Sequence, residues 1–339
     1  MTISIFTRSL IVLIFISSGV AHAADMQFML NTVTSHEPVV YIFAHGLGAN
    51  RTQGPILFAH VVDGKSSKVN DQWIIHEPYV TFNFPDAMAK AGEYERDQVN
   101  LGQAADMERL HEVYTAARSR FPGYKIVLVG ISRGSATIIN YVAHYKPDDI
   151  AALVLESPFD SLTSIVRHLL ERFNVHWLPF AQTLGFKICQ THFPQVNPEG
   201  IFPIASIDQI PHTLPVILIH ARGDKVVPIN SSRQLYCRLV ERGHRHAYLI
   251  ELSAGLHGKL IRGEEKETYL HSIHAFYKKY NLPHTSSYAE KGAYLLRLAQ
   301  PTPTLVKVRM RRRDELVQAE SAKPTNLEIA FHVTKNAIK

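Results

Sequence analysis

A strand, a five-residue turn and a helix in immediate succession constrain this chain more than any other feature of its sequence. Residues 125–129 (KIVLV) form an almost continuous apolar run, which predicts a buried strand, and residues 135–145 read as a helix. The segment GISRG, from Gly130 to Gly134, connects the two. The chain must reverse sharply there, and glycines at both ends suit a turn where side chains would collide with the neighbouring strand and helix. Ser132 lies at the centre of this turn.

The rest of the body alternates strands with helices. Further apolar, β-rich runs predict strands at residues 39–44, 80–84, 150–155, 216–220 and 247–252. Amphipathic spacing predicts helices at residues 101–120 and 264–280. Strands that are apolar on both faces and alternate with helices predict an α/β fold, with a mostly parallel sheet covered by helices on both sides.

The turn around Ser132 resembles the nucleophile elbow of the α/β-hydrolase superfamily, in which a G-x-S-x-G motif joins a strand to a helix. The resemblance covers roughly residues 39–280. It implies the α/β-hydrolase fold and a serine nucleophile, here Ser132. It also implies that an acidic residue and then a histidine follow the serine, each at the end of a later strand.

Asp224 is the candidate for the acidic residue. It follows the strand at 216–220 in the run VILIHARGDKVVP, which resembles the acid loop of the superfamily. A carboxylate there would orient the histidine and stabilise its protonated form. Asp160 and Glu156 are alternatives, because both follow the earlier strand at 150–155.

His257 is the candidate for the base. It lies in SAGLHGKL, directly after the last predicted strand and before the last helix of the body. The flanking Gly255 and Gly258 suit a loop that lets the ring reach a serine across the sheet edge.

The loop after the first strand, His45-Gly46-Leu47-Gly48, resembles the H-G-x-G oxyanion loop of the superfamily. The resemblance implies that the backbone N–H groups of Leu47 and Arg133 stabilise an oxyanion. His45 is expected to form structural hydrogen bonds within the loop rather than act as a base.

The long segment at residues 157–213 interrupts the alternation and is rich in aromatic residues and prolines. It predicts a helical cap inserted into the hydrolase domain, which would extend over residues 24–283. A pair of ordinary crossover helices with a long loop is the alternative.

The N-terminus predicts a signal peptide over residues 1–23. Arg8 precedes a short apolar run at 10–16, and the tripeptide at 21–23 (AHA) suits cleavage after Ala23. We therefore expect export to the periplasm or the medium. An uncleaved anchor is the alternative. Outside the cytosol Cys189 and Cys237 could pair, and two free buried thiols is an equal alternative.

Positive charge is concentrated at the C-terminus. Of a net charge of +6, residues 284–339 contribute ten Lys and Arg against five Asp and Glu. This distribution does not favour nucleic-acid binding. Alternating residues at 305–310 and 327–333 predict a small hairpin in this basic extension, and Arg311, Arg312 and Arg313 are candidates for weak contact with an anionic surface.

Together these features predict an exported serine hydrolase that cleaves an ester-type acyl bond of a small acyl or peptide substrate. A serine peptidase or aminopeptidase, an acyltransferase, and a non-catalytic binding protein with the same fold are the alternatives. We expect no metal and no cofactor, because the sequence contains no H-E-x-x-H, G-x-G-x-x-G or Walker motif.

Overall fold

We describe the fold from a computed structural model covering residues 27–29, 38–61, 67–69, 72–74 and 77–300. The chain divides into two units, Met1–Gln300 and Pro301–Lys339, and the second lies outside the described residues. The predicted signal peptide at 1–23, the predicted hairpin and the arginine run at 311–313 also lie outside them, and so these three stay predictions.

The described chain alternates strands and helices along most of its length. The strands are β1 (Gln27–Met29), β2 (Val39–Ala44), β3 (Ser67–Val69), β4 (Gln72–Ile74), β5 (Tyr79–Thr81), β6 (Lys125–Ile131), β7 (Ile150–Glu156), β8 (Val216–Ala221) and β9 (Ala247–Leu252). The helices are α1 (Gln53–Val61), α2 (Ala104–Arg120), α3 (Arg133–Tyr145), α4 (Leu162–Arg172), α5 (Ala181–His192), α6 (Pro203–Ser206), α7 (Ile229–Glu241), α8 (Lys266–Lys279) and α9 (Ser286–Ala299).

The main sheet has seven strands in the order β1-β5-β2-β6-β7-β8-β9, and β3 pairs with β4 in a separate hairpin. Strand β1 runs antiparallel to β5, whereas the strands from β5 to β9 in that order are all parallel. The predicted fold class, a mostly parallel sheet with helices on both faces, is confirmed.

The alternation of side chains along each buried strand divides the core into two layers. In β2, Val39, Tyr41 and Phe43 pack with residues of α1, α8 and α9. The intervening residues Val40 and Ile42 pack with residues of α2, α3 and α7 on the opposite face. Both faces are buried because parallel strands are covered by their crossover helices, which explains why the strands read as continuous apolar runs.

The order of the strands places a topological switch point between β2 and β6. From β2 the chain crosses to β5 on one side, and from β6 it crosses to β7 on the other. Ala44 and Gly130, at the carboxyl ends of these two strands, are paired in register. Ligands of open α/β sheets bind at such a switch point, outside the carboxyl ends of the strands.

The segment between β7 and β8 forms the helices α4, α5 and α6. Its buried residues, among them Phe159, Leu162 and Val166, pack in a third cluster with Ala136 of α3 and Val227 beyond β8. The predicted insertion at 157–213 is therefore helical, and it packs against the elements that follow the carboxyl ends of β6 and β8.

Three further observations complete the fold. Residues 286–299, which precede the predicted hairpin, form α9, and Leu296 of α9 belongs to the core cluster of α8. Cys189 and Cys237 do not form a disulfide bond with each other, so the pairing alternative is not realised. Among the described residues, no helix is both long enough and apolar enough to span a bilayer.

The contact of α9 with α8 leads to a first prediction. A methyl group at Gly292 would lie 1.9 Å from the backbone oxygen of His271, so Gly292→Ala must force the helices apart. We expect the free energy of unfolding to fall by about 1–3 kcal/mol in urea titrations. Gly223→Ala is the control, because nothing lies within 4 Å of the added methyl group. Equal stability of the two variants would contradict the packing of α9.

Candidate active site

The turn that carries Ser132 is strained. Ser132 has φ 54° and ψ −113°, in a region that residues with a side chain rarely occupy. The flanking glycines make the turn possible, because a methyl group at Gly130 would lie 2.6 Å from the Ser135 nitrogen, and one at Gly134 would lie 1.9 Å from the Ala44 oxygen. The turn therefore presents the Ser132 side chain at the carboxyl end of β6, where α3 begins.

The structure brings Ser132, His257 and Asp224 together in one row of hydrogen bonds. His257 Nε2 lies 2.8 Å from Ser132 Oγ, and its Nδ1 lies 2.7 Å from Asp224 Oδ2. A carboxylate only accepts, so Nδ1 donates to Asp224 and leaves Nε2 to accept from the serine hydroxyl. The imidazole thus faces the hydroxyl with the nitrogen that can take up its proton.

Asp224 is buried and held by several donors. Its Oδ1 accepts from the backbone N–H groups of Val226 at 2.8 Å and Val227 at 3.0 Å. His220, a fully buried residue of β8, has its Nε2 3.3 Å from Asp224 Oδ2. Burial alone would raise the pKa of Asp224, but the hydrogen bonds with His220 and His257 outweigh it and hold the pKa well below its usual range. The carboxylate is therefore ionised beside the imidazole.

The loop after β2 lies directly against the turn. A methyl group at Gly46 would lie 3.5 Å from the Cβ of Ser132. His45 is fully buried, with Nδ1 2.8 Å from the Gly46 oxygen, and its Nε2 accepts from the Phe84 N–H at 3.1 Å. Burial lowers the pKa of His45 to about 3, so the ring is neutral and holds the loop in place. Leu47, the next residue of this loop, is half-buried.

The side chain of Arg133 is enclosed beneath the turn. Its Nε and Nη2 donate to the two oxygens of Asp106 at 2.6 and 2.5 Å, and its Nη1 forms an ion pair with Asp86. The guanidinium also stacks on Phe84, 4.5 Å from the ring centroid. Asp106 additionally accepts from the Gly102 N–H at 2.6 Å. Two carboxylates and an aromatic face therefore fix the residue that directly follows Ser132.

Comparisons with solved structures agree with this architecture. No family model matches the sequence, and no curated protein matches it. An esterase of Pyrococcus furiosus is similar at 18% identity with a TM-score of 0.52, covering 73% of this chain and 84% of its own. The uncomplexed acylaminoacyl peptidase of Pyrococcus horikoshii is similar at 16% identity with a TM-score of 0.50, covering 76% of this chain and 39% of its own.

This chain has the α/β-hydrolase fold. The order of its site residues, with serine after β6, aspartate after β8 and histidine after β9, is the order that the α/β-hydrolase elbow motif implies.

The two alternative candidates for the acidic residue occupy other environments. Asp160 Oδ1 accepts from the hydroxyl of Ser231 at 2.8 Å and from the N–H of Ser161 at 2.8 Å. It also hydrogen-bonds the hydroxyl of Ser164. These contacts tie the start of α4 to α7, and Asp160 forms none with His257 among the described residues.

Glu156 lies at the end of β7, fully enclosed beside the site. Its backbone oxygen accepts from the Ser132 N–H at 2.8 Å. Its carboxyl group accepts from the Tyr269 hydroxyl at 2.9 Å and from the Leu260 N–H at 3.4 Å. Burial raises the pKa of Glu156 to about 7, although these hydrogen bonds oppose the shift. Glu156 thus connects the Ser132 turn with the loop that follows His257.

Sequence reasoning missed the residues that support the row. His220 interrupts an apolar strand, which is a signal that it has a buried partner. Arg133 was predicted only as a backbone donor, and the two carboxylates that hold its side chain, Asp86 and Asp106, lie far from it along the chain. No group of three or more potential metal ligands occurs in the described part of the chain.

The enclosed carboxyl group of Glu156 leads to a prediction on stability. Between pH 4.5 and about 7 the folded state binds the Glu156 proton more tightly than the unfolded state, so its contribution to stability is lost as pH rises. Gln carries no such proton. We therefore expect the free energy of unfolding of Glu156→Gln, measured relative to that of wild type, to rise by up to about 3 kcal/mol as the pH increases from 4.5 to 8.

Urea titrations at several pH values measure this difference. Glu251→Gln is the control, because ion pairs with Arg233 and Arg222 lower the pKa of Glu251 and its difference from wild type should stay constant above pH 5. A Glu156→Gln difference that does not change with pH would contradict the assignment.

Proposed function

We propose that this protein is a serine hydrolase that cleaves ester-type acyl bonds through a covalent intermediate on Ser132. The observation that carries the proposal is the row of hydrogen bonds from Ser132 through His257 to the ionised Asp224. A serine is a weak nucleophile unless an adjacent base activates it and a third group orients that base. Here both groups lie within hydrogen-bond distance.

The first half of the proposed reaction forms an acyl-enzyme. His257 Nε2 takes the proton of the Ser132 hydroxyl while Oγ attacks the carbonyl carbon of the substrate. Asp224 stabilises the resulting imidazolium through Nδ1. When the tetrahedral intermediate collapses, the bond to the alkoxy group breaks, and His257 gives its proton to the departing alcohol.

The second half repeats the sequence with water. His257 takes a proton from a water molecule, whose oxygen attacks the acyl carbon. The bond to Ser132 Oγ then breaks, and the serine recovers its proton from His257 while the carboxylic acid leaves. No cofactor takes part in this scheme.

The negative charge that develops on the carbonyl oxygen needs donors that already point at it. We assign this role to the backbone N–H groups of Leu47 and Arg133. Arg133 is the first residue of α3, where helix N–H groups have no partner within the helix and where the helix dipole favours negative charge. A methyl group at Gly46 would lie 3.5 Å from the Cβ of Ser132, and Leu47 is the next residue of the same loop, which supports its assignment as the second donor.

We propose a small acyl substrate, because exposed apolar side chains lie beside the row. Val226 follows Asp224 by two positions, Leu256 precedes His257, and both side chains are exposed. Peptide-bond cleavage is the second candidate, since one similar structure is a peptidase and the same groups can attack an amide. We also propose that the protein is exported to the periplasm or the medium, because residues 1–23 have the sequence features of a signal peptide.

Replacing the acidic residue tests the proposed mechanism. Asp224→Asn should lower kcat on a water-soluble ester by about 10³–10⁴-fold, because an amide favours the wrong imidazole tautomer and does not stabilise the imidazolium. Steady-state kinetics on a panel of esters, thioesters and aminoacyl amides would measure the effect and identify the preferred bond.

Asp160→Asn is the matched control. Its carbonyl oxygen can still accept from Ser231 and Ser161, so kcat should stay within about threefold of wild type. If Asp160→Asn lost as much activity as Asp224→Asn in folded protein, the assignment of the acid would be wrong. Absence of activity on the whole panel would contradict the hydrolase proposal.

A further inference from the structure

The connection between α4 and α5, together with α5 itself, exposes large apolar side chains. We call this surface the cap-tip patch. Its members are Phe173, Trp177, Leu178, Phe180, Leu184 and Ile188. Large exposed apolar patches on soluble domains mark interaction sites.

Helix α5 contributes a second apolar stripe that the fold of the cap does not need. Phe186 and Cys189 face inward, and a methyl group at Gly185 would lie 2.7 Å from Val166 of α4. Leu184 and Ile188 lie one turn apart on the other side, and both are exposed. The inward stripe is sufficient to pack α5 on α4, so the outward stripe is left for a partner.

The aromatic side chains of the patch are exposed, and the indole N–H of Trp177 already has a hydrogen-bond acceptor within the protein. Phe180 precedes α5 with φ 63°, a left-handed conformation that a non-glycine residue rarely adopts, and its side chain is 83% exposed. The Trp177 side chain is 68% exposed, yet its indole N–H donates to the Asn174 oxygen at 2.8 Å. Both rings therefore present apolar faces to solvent.

Two exposed basic side chains, Arg172 and Lys187, lie within the segment that carries the patch. The acidic residues Glu171 and Glu199, also exposed, lie at the two ends of that segment. Lys225 and Lys259, also exposed, lie near Val226 and Leu256 in sequence. Aromatic side chains combined with cations favour the interface of an anionic bilayer, where rings enter the headgroup region and cations meet phosphates.

The patch also borders the candidate active site. Arg172 Nη1, at the end of α4, donates to the backbone oxygen of Lys225 at 2.9 Å. Lys225 directly follows Asp224. A surface that the patch contacts would therefore lie on the side of the molecule where the loop of Asp224 is exposed.

We propose that the cap-tip patch docks this protein on an anionic lipid bilayer. The apolar side chains enter the interfacial region, while Arg172, Lys187 and Lys225 contact acidic headgroups. The proposal stands on the exposed surface alone and does not require that Ser132 act as a nucleophile.

Sedimentation with vesicles tests the proposal on the full mature chain. Vesicles of ether-linked phosphatidylcholine with 30% ether-linked phosphatidylglycerol contain no ester bond to hydrolyse, so binding is measured separately from activity. We expect binding at 0.1 M NaCl that weakens at least about fivefold at 0.5 M NaCl. We expect a blue shift of tryptophan emission on binding, which Trp177→Phe abolishes.

Two leucines of similar exposure provide the matched variants. Leu184 is 58% exposed in the patch, and Leu298 is 60% exposed on α9. Leu184→Ser should weaken vesicle binding about tenfold, and Leu298→Ser should leave it within twofold. Both variants should hydrolyse a water-soluble ester as wild type does, so a failure of docking is distinguishable from a failure of the proposed hydrolase function.

Three results would overturn the proposal. The first is no binding of wild type to the anionic vesicles. The second is an equal loss of binding in Leu184→Ser and Leu298→Ser. The third is a dimer in solution that Leu184→Ser dissociates, without vesicle binding by either protein, because a second copy would then cover the patch.

Discussion

The absence of any side chain at Gly134 is the constraint on which the site depends. The first turn of α3 lies so close to the end of β2 that a single methyl group would overlap the Ala44 carbonyl. The loop that begins at His45 therefore starts directly beside this turn, and Leu47, the proposed oxyanion donor, belongs to that loop. The strain at Ser132 is maintained because β6 and α3, both buried, fix the two ends of the turn.

The buried guanidinium of Arg133 fixes the turn that carries Ser132, and its removal from water costs free energy. Moving Arg133 out of water is unfavourable unless its charge is paired, and both Asp86 and Asp106 are buried against it. Asp106 reaches the backbone of Gly102 ahead of α2, while Phe84 stacks on the guanidinium and donates to His45. The cluster thus joins the segments that follow β2, β5 and β6. Its geometry suits a role in positioning the turn rather than in overall stability.

Local sequence was sufficient to predict the fold, and it also predicted the three residues that the structure brings into one hydrogen-bonded row. Apolar runs indicated the parallel strands, and the succession of strand, turn and helix indicated Ser132 as the candidate nucleophile. The ends of the strands were less predictable. The strand expected at 80–84 ends at Thr81, because Thr81 is paired with Phe43, the last residue of β2 that pairs with β5. The partners of Arg133 and the contact of His220 with Asp224 arise only from tertiary packing.

Covalent labelling distinguishes an activated Ser132 from an inert one. Folded protein would be treated with a fluorophosphonate probe, and intact-mass spectrometry would compare wild type with Ser132→Ala. We expect one added phosphonyl group on wild type, located at Ser132 by peptide mapping, and none on the variant. Equal labelling of both proteins, or no labelling of either, would contradict an activated nucleophile at the turn between β6 and α3.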